Sequence, residues 1–195
     1  MPQPEFAIFD IGQVIYPYTL APLDALMKSL AVDNDGQSAL EYDYNPYMRG
    51  ELTTEDFARE LCLFCHVKYS KKLLPAIDEA LHRGRGEKYP QTLEAMRLLR
   101  EKGIKIGILS NAMPALNDGY IEMAEPEYVF VSYNMGLLKP DVKIYQTMAK
   151  KLKTSYEKIL FIDDKEINIR AAQSLGINGI IFKPETILQE IEPYL

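Results

Sequence analysis

Five short apolar segments, separated by helical patterns, constrain the fold of this chain more than any other feature. They comprise residues 6–9, 104–109, 128–131, 159–162 and 179–182. Continuous apolar runs of this length are typical of parallel strands that are buried on both faces. Helical patterns at 91–102, 142–152 and 167–175 lie between the later segments. This alternation predicts an α/β fold with a doubly wound parallel sheet and right-handed crossovers.

The block between the first and second predicted strands interrupts the alternation, because it offers helical patterns and no convincing buried strand. Its predicted helices span 20–30, 38–44, 54–66 and 71–81. We therefore expect residues 1–15 and 87–195 to form the core and residues 16–86 to form a small all-helical cap. The expected hinges are Pro17 at one end and Gly84 and Gly86, with Pro90, at the other. A cap inserted there would overhang the carboxyl ends of the strands, where open α/β sheets bind ligands.

The composition of the 195 residues limits the partners and the location that we expect. A hydrophobic content of 47% suits a soluble globular protein, and a formal net charge of -6 gives no basic surface for nucleic acid. No segment reaches the length of about 18 apolar residues that a membrane helix needs, and the first residues do not resemble a signal peptide. We expect a cytoplasmic protein that acts on a small molecule. Cys62 and Cys65 lie within a helical pattern, which favours packed thiols over a zinc or redox site.

Polar residues end three of the predicted strands. Asp10 follows the first strand, Ser110 the second, and Asp163 and Asp164 the fourth. Because parallel strands end at the same edge of a sheet, these side chains are expected to lie together. Lys139 precedes the helix at 142–152 and would add a cation to the same crevice. A nucleophile, a hydroxyl group, two further carboxylates and a lysine are suited to phosphoryl chemistry.

Four motifs now carry a resemblance to a known family. They are Asp10-Ile11-Gly12-Gln13-Val14, Ser110-Asn111, Lys139-Pro140 and Asp163-Asp164-Lys165-Glu166-Ile167-Asn168. In this order and with these secondary structures, the chain resembles the haloacid dehalogenase (HAD) superfamily, capped subfamily I. The resemblance implies a Rossmann-like core with a helical cap after the first strand. The first motif is similar to that of bacterial sugar-phosphate phosphatases with an Asp-x-Gly-Asn/Gln-Val pattern.

The resemblance also implies a reaction and a cofactor. Asp10 would attack phosphorus and form an aspartyl-phosphate, which splits hydrolysis into two steps. Mg²⁺ would be bound by Asp10, by the backbone carbonyl of Gly12 and by Asp164. Asp163 would be a further ligand or would support the others. Oxygen ligands of this kind suit magnesium.

The remaining motif residues are implied to hold the phosphate or to support the site. Ser110, Asn111 with its neighbouring amides, and Lys139 would bind the phosphate oxygens. Asn168 would orient the metal ligands or the Lys139 amine, and a surface role for this residue is an equal alternative. The implied partner is a small-molecule phosphate ester.

Gly12 departs from the usual pattern, because phosphatases of this family generally have an aspartate there that protonates the leaving group. Glycine keeps the carbonyl and lacks the proton donor, and the amide of Gln13 can only hydrogen-bond. A phosphatase that favours stabilised leaving groups, with sugar phosphates among the candidates, is the leading hypothesis. A catalytically weak binding or regulatory module is the alternative. A 2-haloacid dehalogenase is less favoured, because adjacent Asp163 and Asp164 would repel each other without a cation.

A polar and aromatic cluster in the expected cap supplies the candidates for substrate contact. Tyr44 or Tyr47 is expected to line the pocket. Asp43 is a weaker candidate to replace the missing acid.

Overall fold

The computed structural model describes residues 3–33, 35–116 and 128–195. Its centre is a sheet of five parallel strands in the order β3-β2-β1-β4-β5. The strands are β1 (Phe6–Phe9), β2 (Lys105–Ser110), β3 (Val129–Val131), β4 (Ile159–Asp163) and β5 (Asn178–Ile181). All five apolar segments predicted from the sequence are strands, with ends that differ by at most one residue. The predicted α/β fold with a Rossmann-like doubly wound sheet is therefore confirmed.

Strand β1 explains why the sheet needs helices on both sides. Its four residues are all buried, and successive side chains of a strand point to opposite faces. Ala7 and Phe9 belong to the larger apolar cluster, together with residues of helices α5 (Pro90–Glu101) and α9 (Ile187–Ile191). Phe6 and Ile8 belong to a second cluster on the other face. That cluster contains residues of α7 (Val142–Leu152) and α8 (Glu166–Gln173).

Four helices of the described residues follow β1, where the sequence predicts the cap, and a further helix, α6 (Ser132–Met135), follows β3. The helices of the cap are α1 (Ala21–Leu30), α2 (Asn45–Met48), α3 (Thr54–Phe64) and α4 (Leu74–Arg83). The start of α3 is fixed by Thr53, whose hydroxyl accepts a hydrogen bond from the backbone NH of Asp56. Such N-caps satisfy one of the free amides at the first turn.

The prediction of one helix over residues 38–44 is wrong. The structure has a single 3₁₀ turn at Ala39–Glu41, and a separate short helix, α2, begins at Asn45. The Ser38 hydroxyl accepts from the amide of Leu40, and Tyr42 is extended, so the turn ends there. Pro46 then lies in the first turn of α2, where its fixed φ and missing NH favour a new helix start.

The two predicted hinge segments pair with each other. Tyr18 and Arg85 form an antiparallel bridge. The amide of Thr19 donates to Gly84 O at 3.0 Å, and the amide of Gly86 donates to Pro17 O at 2.9 Å. The cap is thus joined to the core through two hydrogen-bonded linkers rather than two independent ones.

The described residues contain no helix that is both long enough and apolar enough to cross a lipid bilayer. Cys62 and Cys65 are buried free thiols. Burial raises the pKa of Cys65 to about 11, so at neutral pH this thiol stays protonated and poorly nucleophilic.

Candidate active site

The topology places the polar strand ends at the middle of one sheet edge. Strand β1 lies between β2 and β4, and Phe9 is paired with Ile108 on one side and Ile162 on the other. Asp10 directly follows β1 and therefore lies beside the ends of both neighbours, where Ser110 and Asp163 are the last residues. The chain reverses its winding direction at β1, and such switch points form the ligand crevice of open α/β sheets.

Lys139 holds the two strand-end carboxylates together. Its Nζ lies 2.8 Å from Asp10 Oδ1 and 2.6 Å from Asp163 Oδ2, and it also donates to Leu109 O at 2.9 Å. The side chain of Lys139 is 1% exposed and that of Asp163 is fully buried, whereas Asp10 keeps 12% exposure. Asp10 is therefore the member of this triad that a ligand can reach.

Two asparagines fix the geometry of this triad. Asn111 exchanges hydrogen bonds with the backbone of Lys139, donating to its carbonyl and accepting from its amide, both at 2.9 Å. Asn168 donates to the Oδ1 and Oδ2 atoms of Asp163 at 2.9 and 3.0 Å. The backbone amide of Lys165 also donates to Asp163 Oδ1, at 2.8 Å. Asp163 is thus saturated with donors, and its rigid carboxylate holds the Lys139 ammonium in place.

The electrostatics of the site show an excess of negative charge. Burial is the main cause that raises the pKa of Asp10, with the charge of Asp163 adding to it and Lys139 opposing it. Burial, together with the charges of Asp10 and Asp163, raises the pKa of Asp164 to about 6. For Lys139, burial would lower the pKa, but the two contacting carboxylates outweigh it, so the pKa is raised and the amine stays charged.

These carboxylates fit a divalent cation. Asp10, Asp163 and Asp164 each offer an oxygen, and these oxygens lie within 4.8 Å of one another. Asp164 Oδ1 is buried and has no hydrogen-bond partner among the described residues. A buried carboxylate oxygen without a partner is costly, and a metal ion would remove that cost. Since Asp163 already accepts four hydrogen bonds, Asp10 and Asp164 are the better placed ligands.

Gly12 and Gln13 lie between the sheet edge and the cap. Among the described residues, a Cβ atom on Gly12 would meet only Tyr18 Cβ, at 3.9 Å, so these residues leave room for a side chain. Gln13 has a φ of 63°, and its Nε2 donates to Tyr18 O at 2.6 Å. Its amide therefore stabilises the chain leading into the cap.

A cavity of about 350 Å³ opens above the sheet edge. Most of the predicted site residues line it, namely Asp10, Gly12, Gln13, Tyr44, Ser110, Asn111, Lys139, Asp164 and Asn168. Tyr47 and Asp43 are not among its lining residues. Tyr47 is buried, stacks on Phe57 at 4.2 Å between ring centroids, and accepts a hydrogen bond from the amide of Ala115. Asp43 accepts a hydrogen bond from the amide of Asn45 at the start of α2.

The sequence analysis did not assign the remaining lining residues a role in the site. This second group contains Ile11, Tyr16, Tyr18, Leu20, Met48, Ala112, Met113, Leu116 and Lys165. Most of these residues are apolar or aromatic and carry no motif. The available signal was position in the sequence. Ile11 and Lys165 lie within the first and fourth motifs, and Met48 lies in the polar and aromatic cap cluster. The others follow the first or second motif within a few residues.

The fold and this constellation define a hydrolase of the HAD type, and the comparisons with known proteins agree. The family of haloacid dehalogenase-like hydrolases matches residues 37–176, and the chain belongs to that family. Its sequence is 26% identical to that of acyl-CoA dehydrogenase family member 10 of Mus musculus over an alignment of 205 residues, and this alignment covers 96% of the chain. The chain spans only 19% of that mouse protein.

Two further relatives represent different chemistries. A sesquiterpene phosphatase of Aspergillus oryzae is 25% identical over 191 residues, which cover 89% of this chain and 87% of the phosphatase. An (S)-2-haloacid dehalogenase of Pseudomonas fluorescens is 25% identical over 150 residues, which cover 72% of this chain and 65% of the dehalogenase.

Solved structures share the fold over nearly the whole chain. A HAD family enzyme of Bacteroides thetaiotaomicron, in complex with magnesium and inorganic phosphate, superposes with a TM-score of 0.76 at 22% identity. The match covers 93% of this chain and 95% of that one. An L-2-haloacid dehalogenase of Xanthobacter autotrophicus gives a TM-score of 0.62 at 17% identity, covering 96% and 82%.

Proposed function

We propose that this protein is a Mg²⁺-dependent phosphatase that hydrolyses a small phosphate ester through an aspartyl-phosphate on Asp10. The observation that carries the proposal is the partly exposed Asp10 carboxylate at the floor of a cavity, beside the buried ion pair of Lys139 and Asp163. We further propose residues 16–86 as the cap and residues 1–15 and 87–195 as the catalytic unit.

In the first step, an oxygen of Asp10 forms a bond to phosphorus while the bond from phosphorus to the ester oxygen breaks. In the second step, water attacks the same phosphorus and Asp10 leaves as a carboxylate. Lys139, which already contacts Asp10 at 2.8 Å, is placed to neutralise the negative charge of the transferring group. Ser110, the last residue of the neighbouring strand β2, lines the same cavity and offers a hydroxyl donor.

Magnesium would be held by Asp10, Asp164 and the carbonyl of Gly12, and when bound it would neutralise phosphate charge and orient the phosphoryl group. The excess of carboxylates described above supports this assignment. So does the B. thetaiotaomicron relative, whose crystal structure contains magnesium and inorganic phosphate. Asp163 keeps a positioning role in this assignment, because its hydrogen bonds are already used.

The lack of an acid at Gly12 leaves protonation of the departing alkoxide to water in the cavity. Positioned acids contribute about 10²–10⁴-fold to such steps. We therefore propose that esters with good leaving groups, such as aryl phosphates, react fastest when the chemical step limits turnover.

The decisive experiment measures magnesium-dependent release of phosphate from a panel of aryl, alkyl and sugar phosphates. Wild-type protein is compared with Asp10→Asn and with Asp78→Asn, a matched change at an exposed residue of α4. Asp10→Asn should abolish turnover while Asp78→Asn retains it. Full activity of Asp10→Asn would refute the nucleophile, and an inactive wild type would favour the binding-module alternative.

Metal binding is tested independently of turnover by thermal unfolding. A ligand that binds only the folded state raises the midpoint of unfolding as its concentration rises. Mg²⁺ should do so for wild-type protein, and Asp164→Asn should remove most of the shift. Hydrolysis of 2-haloacids that persists after chelation would instead favour the dehalogenase hypothesis, which the P. fluorescens relative keeps open.

A further inference from the structure

The wall of the cavity away from the sheet edge is apolar. We use the term apolar wall for six of its lining residues: Tyr18, Leu20, Tyr44, Met48, Met113 and Leu116. They come from the first linker, the cap and the segment after β2. Polar lining residues are concentrated at the other end of the cavity, where the strands terminate. The body of a bound ester would therefore contact the apolar wall while its phosphate lies at the sheet edge.

Among the described residues, the six side chains of this wall carry two polar atoms, the hydroxyls of Tyr44 and Tyr18, and both are committed or enclosed. The Tyr44 hydroxyl donates to Ala39 O at 2.7 Å. The Gln13 Nε2 donates to Tyr18 O. The Tyr18 hydroxyl is buried and has no hydrogen-bond partner among the described residues. Asp43, the polar side chain that the sequence suggested for substrate contact, is not among the lining residues.

A polyhydroxylated substrate would be poorly accommodated against such a wall. Each sugar hydroxyl that leaves water needs a new hydrogen-bond partner, and an unpaired one lowers affinity by roughly tenfold or more. An apolar body binds such a wall favourably, because its transfer out of water lowers the free energy and it needs no hydrogen-bond partners. At about 350 Å³ the cavity lies near the lower end of ligand pockets and suits a compact body.

We infer that the substrate of this site is the phosphate ester of a compact apolar alcohol, aliphatic or aromatic, and that the apolar wall selects it against sugar phosphates. The inference rests on the proposed phosphatase function and specifies its substrate class. It revises the expectation from the first motif, which pointed to sugar phosphates.

The test compares two esters of primary alcohols, n-hexyl phosphate and a primary hexose phosphate, with an aryl phosphate as reporter. The hexose has the slightly better leaving group, so intrinsic reactivity works against the inference. We expect kcat/KM for hexyl phosphate to exceed that for the hexose phosphate by about 100-fold, because two or more hydroxyls would lie against the apolar wall without partners.

A substitution in the wall separates recognition from reactivity. Met48→Gln conserves side-chain length and adds hydrogen-bonding groups, so it should lower the preference for hexyl phosphate by about tenfold. The matched control is Leu63→Gln on α3, where the side chain is 78% exposed and does not line the cavity. The control should keep the wild-type preference, and circular dichroism verifies that both variants are folded.

The outcomes distinguish the two proposals. Hydrolysis of the aryl phosphate that Asp10→Asn abolishes supports the phosphatase function, whichever alkyl ester is preferred. If the hexose phosphate is then hydrolysed as efficiently as hexyl phosphate, the apolar substrate class is wrong while the phosphatase remains. If wild-type protein hydrolyses none of the three esters, the proposed function itself fails, and the substrate class with it.

Discussion

Lys139 is the residue on which the charge balance of the site depends. It is almost completely buried, yet it contacts two carboxylates, Asp10 and Asp163, at salt-bridge distance. Burying an ion pair brings little net stability, but removing one partner leaves the other charge buried and uncompensated. The chemical role that we propose for this lysine therefore coincides with a structural one.

We predict that Lys139→Met lowers the free energy of unfolding in metal-free buffer by about 3–5 kcal/mol, the cost of breaking a buried ion pair. Urea unfolding followed by circular dichroism measures this. The matched control is Lys158→Met, because the pair of Lys158 with Glu5 is about half exposed on both sides. The free energy of unfolding of the control should be close to that of wild type, because surface ion pairs usually contribute little. Equal effects of the two substitutions would contradict the central role of Lys139.

Gly12 offers a test of the missing acid. Because a Cβ at this position meets only Tyr18 Cβ, at 3.9 Å, among the described residues, Gly12→Asp should fold without strain. A carboxyl group there could protonate the leaving oxygen, so we predict at least a tenfold higher kcat for alkyl phosphates and a smaller gain for aryl phosphates. The control, Gly12→Asn, has the same shape and no acid. If both variants change kcat equally, the gain does not come from proton transfer.

The sequence predicted which residues lie at the polar end of the cavity better than which residues form its apolar wall, and the reason is physical. Asp10, Ser110 and Asp163 come together because parallel strands end at one edge, which is a local consequence of the strand pattern. Met48, Met113 and Leu116 come together only through the packing of the cap on the core, which no short spacing encodes. The interactions of Asn111 with the Lys139 backbone were missed for the same reason.

Among the elements, helix α1 and the 3₁₀ turn after it are joined by one buried carboxylate. Asp24 accepts hydrogen bonds from Lys28 Nζ at 2.7 Å, Ser38 Oγ at 2.6 Å and the backbone amide of Ala39 at 3.0 Å. Burial alone would raise its pKa, but these hydrogen bonds, led by those from Lys28 and Ser38, outweigh burial and lower the pKa. The folded cap thus favours the ionised form of Asp24.

A lowered pKa gives stability that is present above the unfolded pKa, near 3.9, and is lost as the pH falls through the folded value. We predict that Asp24→Asn lowers the free energy of unfolding at neutral pH by about 2 kcal/mol. The difference from wild type should shrink as the pH falls below about 4. Urea unfolding at several pH values measures this, with exposed Asp35→Asn as control. A difference that grows towards acid would contradict the assignment.

The helical elements were predictable where amphipathic spacing and a cap agree. Helix α3 was predicted to begin at residue 54 and does so, with the Thr53 hydroxyl as its N-cap. The segment at 38–44 has helical spacing too, but Ser38 and the buried Asp24 carboxylate, 14 residues earlier, bind its first amides and stabilise a single turn. A contact between residues so far apart in sequence depends on tertiary packing, and the apolar periodicity of the segment gives no information about it.

At the scale of the whole molecule, the position of the cap over the sheet depends on the two linkers. The sequence suggested Pro17, Gly84 and Gly86 as hinges. In the structure, glycine is needed at 84 and 86 for a different reason, which is the close approach of the other linker. A Cβ on Gly84 would lie 2.1 Å from Thr19 O, and one on Gly86 would lie 2.5 Å from Pro17 Cγ. Glycine is needed here so that the two linkers can approach and pair.

We predict that Gly84→Ala lowers the free energy of unfolding by about 1–3 kcal/mol, because the clash involves a backbone oxygen that cannot move without separating the linkers. Since Tyr18 and Leu20 lie on the first linker and line the cavity, the same substitution should raise KM for the preferred ester more than it lowers kcat. The control is Gly12→Ala, used for unfolding only, because its Cβ has space. If the linkers were simple flexible hinges, alanine at 84 would be tolerated in both measurements. A wild-type unfolding curve together with an unchanged KM would therefore show that linker pairing does not fix the cap over the cavity.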